Sequence, residues 1–357
     1  MVRHPFPLSD HCTGQLFHNT PLPPDWAQAP RPPQWPDDAN PEVTIVPGRK
    51  RGLRPLPFLR WMLSTLSEQP ERIVDPPAPG DVHVPLALGQ ISVTFIGHDT
   101  FLLRLPQPDG HVMTVLTDPI FSERCSPVSF FGPKRFRAPA LKLMDLPPID
   151  LILVSHCHYD HLDLPSLRAL GRRDNPLVIT PIGNGDLIRK AGLKRIVEQD
   201  WWESLRFGAI EVTCTPARHF AQRSLFDGGC RLWGGFLLRT RGKPSCSMYF
   251  AGDSAHGPHW HDIREQLGAP DVALLPIGAY APRSALRKVH VDPVEAVAAF
   301  RALGARHGVA MHFDTFPLSQ EPMGEAQRCL AETLAWAGLA PESFAPLVFG
   351  ETRVFEV

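Results

Sequence analysis

The sequence has no C-x-x-C pair, no apolar run long enough to span a bilayer and almost no net charge. Its 7 cysteines are scattered and odd in number, which makes a poor disulfide framework and fits a reducing compartment. The opening stretch "MVRHPFPLSDHCTG" lacks the apolar core of a signal peptide. Together with the missing span this leads us to expect a cytoplasmic protein, with room for peripheral membrane attachment. A formal charge of -1 removes any global reason to expect a nucleic-acid partner, although basic residues can still cluster locally. There is also no short-period repeat. What remains is a chain of 357 residues, 43% hydrophobic, able to bury the core of one large domain or two ordinary ones.

Proline is abundant, at 40 residues, and many of them precede Pro85. A stretch such as "TPLPPDWAQAPRPPQWPDDANP" cannot form a central strand or a long helix, because proline lacks the N–H and fixes φ. Residues 1–85 are therefore expected to form an extended arm with one short helix, Pro57 to Ser67, wrapped around the core or a partner subunit. Residues 86–357 hold the folded domain. There "ISVTFIG", "FLLRL", "VMTVLTD", "DLILVSH", "PLVITP", "AIEVTCTP", "GGFLLRT", "SMYFAGD", "DVALLPIG" and "GVAMHF" read as strands. Helical patterns fall at Leu164–Leu170, Asn184–Ala191, Pro258–Leu267, Pro293–Leu303 and Gly324–Ala337. Asp292 is the expected N-cap of the fourth, with Pro293 in its first turn. Strands followed by βα units predict a layered α/β protein with helices outside the sheets.

The stretch "VSHCHYDHLDL" follows one of these strands and contains His156, His158, Asp160 and His161. Neutral imidazole and carboxylate suit borderline metals such as zinc. Alternate positions in an extended loop can turn His156 and His158 to one ion, while Asp160 and His161 lie beyond a bend and can face a second. Cys157, between two of them, points away on this alternation and reads as a small packing residue. Further candidates close other apolar runs: His219, Asp253 and His312. Each alone could be a cap or a core residue. Their shared place after strands, where α/β folds put their sites, argues for a common centre.

This arrangement resembles the metallo-β-lactamase superfamily, with its αββα sandwich and two-metal site. The resemblance implies that His156, His158 and His219 hold one metal, Asp160, His161 and His312 the other, and that Asp253 bridges both. Asp118, in "VLTDP", matches the aspartate of the superfamily's first motif and would orient a ligand histidine through a hydrogen bond. Zinc is the default, and iron or manganese accept the same donors. Two such ions support metal-assisted hydrolysis, with Asp160 and Asp253 the catalytic carboxylates.

The flanking motifs "FIGHDTFLL", "TDPIFSERCSPVSFFGPKRFR", "SHCHYDHLD", "DWWESL", "LPIGAYAPR" and "HVDPVEAV" are similar to those of N-acylphosphatidylethanolamine-hydrolysing phospholipase D and its bacterial relatives. The likeness runs from about Gly48 to His312 and includes "LRPLPFLRWMLS" in the arm. It implies a homodimer in which a bridging hydroxide attacks the distal phosphodiester, releasing N-acylethanolamine and phosphatidic acid.

Other residues are read more openly. Lys134, Arg135 and Arg137 stand beside Phe130, Phe131 and Phe136, a pattern that suits an anionic lipid interface and equally a solvated loop anchored by aromatics. "RKRGLRPLPFLRWMLS", with Phe58, Trp61 and Met62 on one side, fits a helix docked on its own core better than one lying on a membrane. Tyr280 and Arg283 could hold a phosphate oxygen or serve as a loop anchor and a surface charge. Trp201 and Trp202 are expected to pack at a strand edge. His98 and His290 read as structural or as supports for the ligands.

Two rival readings remain. One is a lactonase or phosphodiesterase of the same fold acting on a soluble substrate. The other is a non-catalytic, metal-stabilised lipid-binding protein, which a missing ligand would favour, and no ligand position is missing. A nuclease would need a broader basic surface than "KRFR" supplies.

Overall fold

A computed structural model of the chain describes residues 10–14, 16–24, 26–32, 72–75, 78, 80–224 and 226–357. The expected arm helix Pro57–Ser67 and its basic flank lie outside the described residues. The arm's first described part forms a two-stranded hairpin, β1 (Cys12–Thr13) and β2 (Leu16–Phe17), followed by chain without regular structure to residue 32.

The domain is built from two seven-stranded sheets. The first contains β3 (Gln90–Gly97), β4 (Thr100–Pro106), β5 (Val112–Thr117), β6 (Leu151–Leu153), β7 (Leu177–Pro181) and β8 (Ile196–Gln199), in sequence order across the sheet. The second runs from β9 (Ser204–Phe207) through β10 (Ile210–Thr215), β11 (Gly235–Thr240), β12 (Ser247–Phe250), β13 (Val272–Pro276) and β14 (His307–Met311) to β15 (Phe344–Pro346). The last strand, β16 (Thr352–Glu356), returns to pair with β3. Each sheet begins as an antiparallel meander and continues in parallel, from β5 in the first and β12 in the second. The parallel connections require crossovers, and helices supply most of them.

Helices α1 (Leu164–Arg173) and α2 (Gly185–Lys190) flank the first sheet. Helices α3 (His259–Leu267), α5 (Pro293–Leu303) and α6 (Glu325–Trp336) pack together over the second, with the one-turn α4 (Arg283–Leu286) leading into them. The order is helices, sheet, sheet, helices: the αββα sandwich. Asp292 caps α5 by accepting from the Glu295 N–H at 2.9 Å, and left-handed Gly304 ends that helix by donating to Phe300 and Arg301. The inner strands are almost wholly buried, because helices cover one face of each sheet and the other sheet covers the second. Phe95 links the two layers, its ring 4.8 Å from Phe101, 4.7 Å from Phe349 and 5.4 Å from Phe313.

Every strand expected from an apolar run is present, and the five helices fall within a few residues of their expected bounds. Sequence reading missed the edge strands β8, β9, β15 and β16. They are short or alternate with exposed polar residues, so no continuous apolar run marks them. Trp201 is buried at the edge as expected, its indole donating to the Trp233 carbonyl at 2.7 Å under the stacked ring of His11. All seven cysteines are unpaired, and Cys157 is fully buried. Among the described residues no helix is long and apolar enough to cross a membrane.

The parallel strands β13 and β14 end side by side, which places Gly278 against the backbone of His312. A Cβ at Gly278 would run into the His312 carbonyl oxygen. Gly278→Ala is therefore expected to cost about 1–3 kcal/mol through overpacking, read as a lower denaturation midpoint. An unchanged midpoint would show that the strand ends can part freely.

Candidate metal centre

Six chain segments deliver polar side chains to one end of the sandwich. His98 and Asp99 form the turn between β3 and β4, and Asp118 follows β5 directly. The 155–163 loop joins β6 to α1, His219 and Asp253 follow β10 and β12, and His312 is the residue after β14. His98, Asp118 and His312 adopt left-handed φ of 57°, 28° and 60°. Such conformations cost a non-glycine residue roughly 1–3 kcal/mol and persist only where neighbours hold them. Here the His98 N–H donates to Thr315 Oγ1 at 3.0 Å, the Asp118 N–H to Leu153 at 2.9 Å and the His312 N–H to His98 at 3.3 Å. The turns aim these side chains inward instead of continuing the strands.

Two groups result. In the first, His158 Nδ1 lies 2.8 Å from His156 Nε2 and 3.2 Å from His219 Nε2. In the second, Asp160 Oδ2 is 3.0 Å from His98 Nε2, 3.2 Å from His161 Nε2 and 3.5 Å from His312 Nε2. Asp253 stands between them. Its Oδ2 is 3.6 Å from His219 and 3.9 Å from His156 on one side and 3.2 Å from His161 on the other, while Oδ1 is 3.1 Å from His312. His290 approaches the same carboxylate at 3.8 Å.

The donor set fits cations. Tetrahedral nitrogen ligands with bonds of about 2.0–2.1 Å are separated by roughly 3.3 Å, close to the spacing in the first group. His161 Nε2, Asp253 Oδ1 and both ring nitrogens of His312 are buried without a hydrogen-bond partner. Burial holds His156 well below the usual imidazole range and brings His158 and His98 down to about 3, so all three present the neutral, ligating form. Burial alone would raise Asp160 and Asp253, but His161 and His312 hold both well below the carboxylate range. In return the carboxylates lift His161 and His312 well above the imidazole range despite burial. A cation in the cluster would balance the same carboxylates, and its binding would displace protons from these rings.

A second layer fixes the rings. Asp118 Oδ2 accepts from His161 Nδ1 at 2.7 Å and from Ser155 Oγ at 2.5 Å, and Oδ1 accepts from the Ser155 N–H at 2.7 Å. Ser155 Oγ lies 2.9 Å from His156 Nδ1, so one carboxylate orders a histidine of each group. His219 Nδ1 faces the Val289 carbonyl at 2.8 Å. Arg223 donates to the carbonyls of Cys157 and Leu162 at 2.7 Å and stacks over Tyr159, tying down the ligand loop. The arm contributes too: the Asn19 amide donates to the His219 carbonyl at 3.0 Å and accepts its N–H at 3.1 Å.

The structure thus brings together His156, His158, Asp160, His161, His219, Asp253 and His312, with Asp118 behind them. It adds His98, which ligand-set geometry groups with Asp160, His161 and His312. The sequence signal for His98 was a glycine and two polar residues between two apolar strands in "FIGHDTFLL". Three candidate substrate contacts are engaged with other groups of the chain. Arg283 is committed to Asp292 at 3.2 Å and Glu295 at 2.7 Å, a buried quartet that Arg31 of the arm completes. Tyr280 is buried and donates its hydroxyl to Glu325 at 2.8 Å. Arg135 is buried as well, donating to the Ser122 and Ile120 carbonyls at 2.9 Å beneath the Phe316 ring. A desolvated guanidinium seeks such partners, and these contacts occupy both arginines. Lys134 is half-buried on the same loop, beside the exposed Phe130 and Phe131.

An αββα sandwich with a buried histidine–aspartate cluster at its strand ends is the scaffold of a metal-dependent hydrolase. The chain belongs to the beta-lactamase superfamily, whose domain matches residues 113–313, more than half of its length. It is 38% identical over 248 residues to an uncharacterized protein of Mycobacterium tuberculosis, covering 68% of this chain. It is 36% identical over 237 residues to N-acyl-phosphatidylethanolamine-hydrolyzing phospholipase D 1 of Caenorhabditis elegans, covering 63% of this chain. The matched region spans 64% of the length of each of these curated relatives. Among solved structures, a metallo hydrolase from the archaeon Ignicoccus hospitalis shares the fold with a TM-score of 0.54 and 23% identity, covering 75% of this chain and 99% of its own.

Asp118→Asn turns an N–H₂ toward donors that now meet a carboxylate. We expect about 10–100-fold weaker divalent-ion binding by calorimetric titration, with the fold retained by circular dichroism. Wild-type affinity in this variant would remove Asp118 from the support of the centre.

Proposed function

We propose that the protein is a two-metal phosphodiesterase of phospholipase D type, hydrolysing N-acylphosphatidylethanolamine to N-acylethanolamine and phosphatidic acid. The observation that carries this reading is Asp253, a buried carboxylate in reach of both ligand groups, in a chain 36% identical to a phospholipase of that specificity. His156, His158 and His219 would hold one divalent ion, and Asp160, His161 and His312 the other, with Asp253 shared and His98 against Asp160. When bound, such ions supply Lewis acidity and make water a nucleophile at neutral pH; zinc is the default. The chain's own part is to fix the rings through Asp118 and Ser155 and to keep the site nearly dry. Water exclusion strengthens every charge interaction with a phosphodiester.

The surroundings of the cluster favour a lipid over a small soluble substrate. Phe220 is 41% exposed and its ring lies 4.6 Å from that of His158, while Phe226 on the same loop is 93% exposed. Phe130 and Phe131 are exposed on the Lys134 loop. Exposed aromatics beside a ligand loop suit acyl chains and a membrane face. The family likeness extends the proposal to a homodimer with peripheral membrane contact.

Metal-loaded protein incubated with N-acylphosphatidylethanolamine in mixed micelles, followed by mass spectrometry, tests this directly. Matched release of N-acylethanolamine and phosphatidic acid is expected. Asp253→Asn should slow it by at least about 100-fold, the scale of losing one electrostatic stabiliser of the transition state. Intact lipid alongside cleavage of a soluble lactone or phosphodiester would leave the centre standing and overturn the substrate.

A further inference from the structure

Asp99 has no part in the site as built so far. It is fully buried, and neither carboxylate oxygen has a hydrogen-bond partner. A lone carboxylate in the interior is costly, so its retention points to a partner. One of its oxygens belongs to a buried group with one donor atom each of His161, Asp253 and His312, all within 4.8 Å of one another. It lies on the Nδ1 side of His161, at 3.6 Å, but that nitrogen already serves Asp118 at 2.7 Å. His312 has an unclaimed nitrogen. Both of its ring nitrogens are buried without a hydrogen-bond partner, but Nε2 faces Asp253 and Asp160 at 3.1 and 3.5 Å, while Nδ1 has no contact of that kind among the described residues.

A histidine that turns one nitrogen to an ion gives its other N–H to a carboxylate, a carbonyl or water. His161 has Asp118 for this, and His219 has the Val289 carbonyl. We propose that Asp99 is the corresponding positioning residue for His312, its carboxylate accepting the Nδ1–H and fixing the ring with Nε2 toward Asp160 and Asp253. The Asp99 backbone is anchored, since Thr117 Oγ1 donates to its carbonyl at 2.6 Å. The inference rests on the two-ion reading of the centre.

The test compares wild type, Asp99→Leu and Asp99→Asn, each stripped of metal and titrated with Zn²⁺ by calorimetry, with thermal unfolding before and after loading. Wild type should take up two equivalents. In Asp99→Leu one binding step should weaken by about 10–100-fold while the other is unchanged. Asp99→Asn, which keeps an acceptor oxygen and the side chain's shape, should fall between. Metal-free Asp99→Asn should unfold close to wild type, because the amide keeps an acceptor oxygen for the Nδ1–H and the shape of the side chain. Wild-type affinities in both variants would overturn the proposal. A metal-free Asp99→Asn that unfolds well below wild type would do the same, since it would assign Asp99 a purely structural role. Fewer than two equivalents in wild type itself would overturn the two-ion reading and this inference with it.

Discussion

Asp160 and Asp253 place two carboxylates side by side in the protein interior, each within 3.5 Å of imidazole nitrogens. An interior cannot replace the hydration of a carboxylate without nearby positive charge. That requirement organises the rest of the site. It accounts for protons held on His161 and His312 against the pull of burial, and for neutral His98, His156 and His158 at the rim of the same charge. Among the buried groups left without a hydrogen-bond partner are His161 Nε2, Asp253 Oδ1 and His312 Nε2, which face the shared centre. Divalent cations are what such a donor set fits.

The sandwich makes this arrangement possible by ending strands from both sheets at one edge. The first sheet supplies the His98–Asp99 turn, Asp118 and the 155–163 loop, and the second supplies His219, Asp253 and His312. Left-handed turns at His98, Asp118 and His312 are the local cost of turning strand ends toward the cluster, and hydrogen bonds from their N–H groups to Thr315, Leu153 and His98 stabilise them. Asp118 couples the two groups by ordering His161 directly and His156 through Ser155.

Much of this was legible in the sequence, for definable reasons. Apolar runs such as "ISVTFIG" and "DVALLPIG" mark strands covered on both faces, and the spacing in "SHCHYDHLD" has little use outside a ligand loop. His219, Asp253 and His312 were readable because each closes an apolar run. Edge strands were not, since β9 alternates exposed and half-buried residues and β16 buries only one. The fates of Arg135, Arg283 and Tyr280 were hidden because their partners are set by the fold: carbonyls at Ile120 and Ser122, carboxylates at Asp292 and Glu295, and Glu325 from 45 residues away. The Asn19 clamp on His219 bridges 200 residues, and nothing local in the proline-rich arm announces it.

The chemistry proposed for the protein depends on two ions sharing Asp253, and that is open to direct observation. Crystals of metal-loaded protein, measured at the absorption edge of the bound metal, would locate the ions by anomalous scattering. Two peaks about 3.5–4 Å apart, one among His156, His158 and His219 and one among Asp160, His161 and His312, are predicted. A single peak, or two that Asp253 cannot reach together, would contradict the account.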